Sequence, residues 1–148
     1  MRTVSVVLCL SALATAAGAQ APALQWGPAP PFFPAGARFA VVQGDPGGSG
    51  LYTVRLEMPA GYTIPPHWHP TDEHVTVLSG ALMLGMSDKV VEAGAAVLTA
   101  GGFITAKAKE HHFAKAREKT VVQVHGQGPF EITYIDPKDD PRNGPKTP

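Results

Sequence analysis

Cysteine is almost missing from this 148-residue chain, with Cys9 the only one. It lies in MRTVSVVLCLSALATAAGAQ (1–20), where Arg2 precedes a short apolar run, Val4 to Leu13, and Ala17-Gly18-Ala19 supplies small residues. That is the three-part pattern of a secretory signal peptide, cut after about Ala19. The mature chain would then hold no disulfide, no thiolate ligand and no cysteine nucleophile. Any metal site must draw on His, Asp or Glu. Long hydrophobic runs are lacking too, since a spanning helix needs about 20 apolar residues. No membrane segment is expected once the signal is removed, and the expected location is the periplasm or the outside. Charge of one sign is also lacking: 12 basic residues face 12 acidic ones. No basic footprint points to nucleic acid, and no charge block suggests a charged tail partner. Phosphate-cradling Gly loops and nucleophilic Ser elbows are absent as well.

Helix signals are scarce. Residues 21–37, APALQWGPAPPFFPAGA, are too rich in proline for a helix or a central strand. They read as an extended arm at 20–38, with Trp26, Phe32 and Phe33 as anchors for docking on the same chain or across a dimer. Beyond it, short β segments alternate with turn signals. Candidates are 39–43, then 51–58 with clean alternation, 74–78, 81–86, 120–125 and 130–135; 90–91, 96–99 and 103–106 are weaker. This argues for one all-β domain over 39–136, a sandwich or barrel, ending in a polar, Pro-rich tail at 137–148. AKAKEHHFAKAREK (106–119) contains good helix formers but no clear apolar stripe.

What is abundant is local. GYTIPPHWHPTDEHVTVLSG (61–80) holds half of the six histidines, bracketed by two glycines. On a strand His67 and His69 share a face, roughly 7 Å apart. Pro65 and Pro66 stiffen the approach. The Pro70-Thr71-Asp72 turn can return Glu73 to that face, and His74 then faces away. Two histidines and a carboxylate suit a divalent first-row metal.

The spacing Gly61, His67, His69, Glu73, Gly80 reproduces the first cupin motif, and the chain resembles a small single-domain cupin over most of its mature length. Gly101 and His112 match the second motif. Lys107, Lys109 and Ala116 stand where that motif has Pro, Gly and Asn. The resemblance implies a double-stranded β-helix, a jelly-roll barrel, and it turns 106–119 into a turn leading to a strand. It implies one divalent transition ion (Mn, Fe, Ni, Zn, Co or Cu) held by His67, His69, Glu73 and His112, with His111 the rival for the last place. Lys107 and Lys109 are either solvated or placed to attract an anionic substrate. Gln123 and His125 share one face of their strand and Val122 and Val124 the other, and either pair can line the cavity. Tyr52, Arg55, Gln123, His125 and Tyr134 are candidate substrate or supporting contacts. The resemblance further implies a metalloenzyme acting on a small oxygen-rich molecule, dioxygenase-like or isomerase- or decarboxylase-like, with Glu73 as base. The alternative is a non-catalytic ligand- or metal-binding module. The expected partners are a small molecule and a second copy of the chain.

Overall fold

Alternation at 51–58 decides which side chains turn inward. In the computed structural model, which describes residues 23–144, Tyr52, Val54, Leu56 and Met58 are buried while Leu51, Thr53, Arg55 and Glu57 are not. The elements in chain order are β1 (Gly27–Pro28), β2 (Arg38–Gln43), β3 (Leu51–Met58), β4 (Thr63–Trp68), β5 (Glu73–Ser79), β6 (Ala81–Gly85), β7 (Ala96–Thr99), β8 (Phe103–Ala106), β9 (His112–Ala116), β10 (Thr120–Gln127) and β11 (Thr133–Tyr134). They form two antiparallel sheets, ordered β1-β2-β3-β10-β5-β8 and β11-β4-β9-β6-β7. Val75, Val77, Val122 and Val124 of the first sheet meet Ile64, Leu82, Leu84, Ala114 and Ala116 of the second in one core. This is the expected all-β jelly roll. The signal segment proposed for 1–19 lies outside the described residues.

Four local expectations need correction. Val90-Val91 is not a strand: the two valines are exposed in the loop between β6 and β7. The expected strand 130–135 shrinks to Thr133–Tyr134: burial still alternates through Phe130, Ile132 and Tyr134, but only Thr133 and Tyr134 pair with β4. The polar end is not simply frayed. Pro137–Asp139 and Pro141–Asn143 form two 3-10 turns capped by Asp136 and Asp140, and Arg142 donates to the Ile132 carbonyl at 3.1 Å. The arm does more than dock. Gly27–Pro28 extends the six-stranded sheet at its edge, where a proline costs no ladder bond.

Residues 106–119 make a turn and a strand. Lys109 occupies the left-handed region at φ 63°, where the motif has glycine. Asp72 pins this turn by accepting from the Ala108 backbone N–H at 2.8 Å and from Lys107 Nζ at 2.9 Å. The Lys109 N–H donates to the His69 carbonyl at 2.8 Å. These bonds stand in for the missing Pro and Gly. They also tie the Lys107 ammonium to Asp72, so it is not a free anion receptor.

Candidate metal centre

The two prolines of β4 do more than stiffen it. Neither can donate to the ladder. Ile64 pairs with Ala114 and His67 with His112, so three steps on β4 match two on β9. One extra residue is a β-bulge, and it flips the side-chain parity. Ile64 and His67 are therefore both buried although three residues apart, and Trp68 turns out. His69 follows just past the strand end, and Glu73 opens β5 facing inward. His112 opens β9 directly opposite His67.

The ligand atoms of His67, His69 and His112 lie within 4.8 Å of one another, and all three residues are buried. Their rings stand 4.3 to 5.2 Å apart by centroid. Each Nδ1 lies against a backbone carbonyl: His67 on Pro65 at 2.7 Å, His69 on Glu131 at 2.7 Å and His112 on Glu110 at 3.0 Å. A carbonyl only accepts, so each Nδ1 carries the proton and each Nε2 presents its lone pair. Nε2 of His69 and of His112 are buried without any hydrogen-bond partner. Orphaned buried nitrogens cost about 1–3 kcal/mol each, and a metal would satisfy them. Glu73 Oε2 lies 3.4 Å from His69 Nε2 and 3.7 Å from His112 Nε2. The carboxylate is outside the tight histidine group but beside two of its members. The donor set therefore fits a divalent transition ion.

Charge coupling follows from this packing. Burial, reinforced by His112 and His69, holds the His67 imidazole well below its ordinary value. Burial opposes charge on His69 too, but the neighbouring Glu73 carboxylate outweighs it and raises His69. Burial would raise Glu73, yet His69 and His112 hold it well below the usual carboxylate range. The sign for His67 is clear. Below its ordinary value of 6.5 the unfolded chain takes up a proton that the folded chain refuses, so stability falls on acidification. His69 acts oppositely, adding stability below 6.5 that is lost as pH rises through its folded value. In chelator-treated protein, His67→Gln should gain on wild type between pH 6.5 and 5.5, by up to about 1.4 kcal/mol per pH unit. Urea titrations at both pH values check this, and a constant difference would contradict it.

The remaining candidates divide by strand parity. Tyr52 faces in, packed on Phe130 at 5.2 Å, and burial and Glu73 both raise its hydroxyl. Tyr134 also faces in, 6.0 Å from His67 by ring centroid, but its hydroxyl donates to the Phe32 carbonyl at 2.7 Å. Arg55, Gln123 and His125 do not reach the site. β10 turns Val122 and Val124 to the core, which leaves Arg55 donating to Gln123 at 3.2 Å and His125 bonded to Thr53 at 3.0 Å on the outer face. His74 is also outside, with Nδ1 on Thr105 at 3.0 Å. His111 pairs with exposed Asp88 at 2.6 Å, away from the histidine group. Sequence reasoning missed Phe130, whose ring stacks on His69 at 5.5 Å and 23°. It also missed the three carbonyls that fix the imidazoles, since backbone acceptors leave no trace in residue identity.

A jelly-roll barrel with three inward imidazoles beside a carboxylate is the architecture of the cupins. The chain belongs to the family described as the ChrR cupin-like domain, which matches residues 15–131. Among solved structures, a candidate acetylacetone dioxygenase from Methylibium petroleiphilum aligns with TM-score 0.62 and 21% identity, covering 80% of this chain and 79% of that one. The polyketide cyclase RemF from Streptomyces resistomycificus aligns with TM-score 0.58 and 17% identity over 71% and 75%. KdgF from Halomonas sp. aligns with TM-score 0.54 and 21% identity over 70% and 84%. At such identities the likeness is one of fold. No curated protein matches the sequence.

Proposed function

We propose that this chain is a metal-dependent enzyme of dioxygenase type. One divalent transition ion would be held by His67, His69 and His112 through Nε2, with Glu73 as fourth ligand or adjacent base. The observation that carries the reading is the shared arrangement of the three histidines: Nδ1 on a carbonyl, Nε2 converging, two of the Nε2 atoms orphaned. When bound, such an ion supplies open coordination positions and Lewis acidity, and in redox-active form it can bring an organic ligand and dioxygen together. The residues do the rest. The imidazoles are already in the binding tautomer, the apolar walls keep water away, and Glu73 Oε2 is placed to take a proton from a ligand at the site.

The walls also sort the chemistry. Apart from the three histidines and Glu73, the cavity lining is apolar. Hydrolysis needs a water at the ion, and isomerisation by proton relay needs a second acid or base. Addition of both atoms of dioxygen to a ligand needs neither, and dioxygen itself is apolar. The same lining supports the second reading, a binding module without turnover. The candidate acetylacetone dioxygenase shares the fold and makes enolisable dicarbonyls sensible first substrates to screen. We further propose a periplasmic setting and a homodimer, for which exposed Phe103 and Leu51 on the outer face of the six-stranded sheet are the supporting surface.

The test is dioxygen uptake by protein reconstituted with Fe(II), Mn(II) or Ni(II), across a panel of small enolisable carbonyl compounds. Uptake that is lost in His69→Ala and with chelator supports the enzyme. Equal uptake in His69→Ala would sink it. Ligand binding without uptake at any ion would select the binding module.

A further inference from the structure

The Pro-rich arm reaches the metal cavity. Phe33, from the arm, is buried and lines that cavity together with Phe39 and Phe130. Phe130 lies face-on against His69, and Phe33 backs Phe130 at 6.0 Å, with Phe32 edge-on to it at 5.9 Å. Two core tyrosines strap the arm in place. Tyr62 donates its hydroxyl to the Pro34 carbonyl at 2.5 Å, and Tyr134 donates to the Phe32 carbonyl at 2.7 Å. The Ala29 N–H closes the arm on itself by donating to the Ala37 carbonyl at 3.1 Å. What the aromatic wall leaves is a small cavity, in which the centre of a water-sized sphere can range over about 30 Å³.

Polarity restricts the occupant as firmly as size. Among the described residues, no lysine, arginine or hydroxyl side chain lines the cavity. Of the cations singled out in the sequence, Arg55 lies on the outer face bonded to Gln123 and Lys107 is held by Asp72. A second ionised or polyhydroxylated end of a ligand would lie against valine, leucine and phenylalanine without a partner for its charge or hydroxyl groups.

From this we infer that the site takes a compact ligand with a single oxygen-chelating end and an apolar remainder, and that Phe33 of the arm sets its upper size. The inference rests on the metal-holding reading given above. It replaces the expected oxygen-rich molecule, because the walls offer hydroxyl groups nothing to bind.

Hydroxamic acids test it, since their chelating end is constant and their tail can be varied. Protein loaded with Co(II) is titrated with acetohydroxamate, butyrohydroxamate, the monohydroxamate of succinic acid and benzohydroxamate, following the Co(II) absorption bands. The expected order is aceto- and butyrohydroxamate tight, with the succinic compound at least about ten-fold weaker because of its unpaired carboxylate. Benzohydroxamate should bind weakly to wild type. It should tighten by about ten-fold in Phe33→Ala and by less in Phe33→Leu, while acetohydroxamate changes little. Melting temperature and bound Co(II) are recorded for each variant, and Phe33→Leu decides if the alanine variant does not fold. If Co(II) is held but the succinic compound matches butyrohydroxamate, or Phe33 variants leave the benzo-to-aceto ratio unchanged, the inference is overturned. If wild type holds no Co(II), the metal reading has failed and this one goes with it.

Discussion

Saturating wild-type protein with its ion should raise the melting temperature by on the order of 10 °C or more, and the His67→Ala/His69→Ala variant should show no rise. A ligand at a thousand times its dissociation constant adds about 4 kcal/mol to the folded state. For a domain of this size each 1 kcal/mol moves the midpoint by several degrees. The double variant will also start lower, since two buried rings are replaced by methyl groups. The diagnostic quantity is therefore the response to metal, measured by calorimetry with and without chelator. A comparable rise in the variant would place the ion elsewhere. Glu73→Gln separates the roles at the site: a fourth ligand costs affinity, whereas a base alone leaves affinity almost unchanged and removes turnover.

Gly80→Ala should be among the most damaging single changes outside the site, costing about 3 kcal/mol or more. Gly80 joins β5 to β6 at φ +80°, and a Cβ there would sit 2.4 Å from the Lys119 carbonyl oxygen and 2.8 Å from Thr120 Cα. Left-handed backbone costs an L-residue about 1–2 kcal/mol, and overpacking against atoms that cannot move aside adds about 1–3 kcal/mol. Gly61 is the control. It has φ +79° but nothing within 4 Å of a would-be Cβ, so Gly61→Ala should lose only the conformational part, about 1–2 kcal/mol. Both glycines bracket the same motif, but they serve it differently. Denaturant unfolding of the two variants checks the contrast, and equal losses would contradict the steric account.

The histidine group was legible because its determinants are short-range. A His-x-His pair, a carboxylate four residues on and prolines before them all sit within one hairpin-sized stretch. His112 was reachable only through motif spacing, because β4 and β9 are distant in sequence and meet by topology. The bulge at Pro65-Pro66 had a sequence cause, yet its effect on parity shows only once the partner strand is in place. The orientation of β10 was not legible. Val122/Val124 and Gln123/His125 alternate equally well, and the polar pair lost the core because the opposing sheet presents leucine, isoleucine and alanine. Strand ends were weakest where apolar residues serve the core from irregular backbone, as Phe130 and Ile132 do, or sit exposed in a loop, as Val90 and Val91 do. Phe32 and Phe33 stood out as anchors, but not that one of them would wall the cavity lined by the three histidines.

Elemental analysis tests the central claim most directly. The chain from residue 20 is purified without a histidine tag, incubated with Mn, Fe, Ni and Zn salts, desalted and measured beside the His67→Ala/His69→Ala variant. The account predicts close to one equivalent of a transition metal in the wild type and almost none in the variant. No retained metal in the wild type, or equal metal in both, would contradict it.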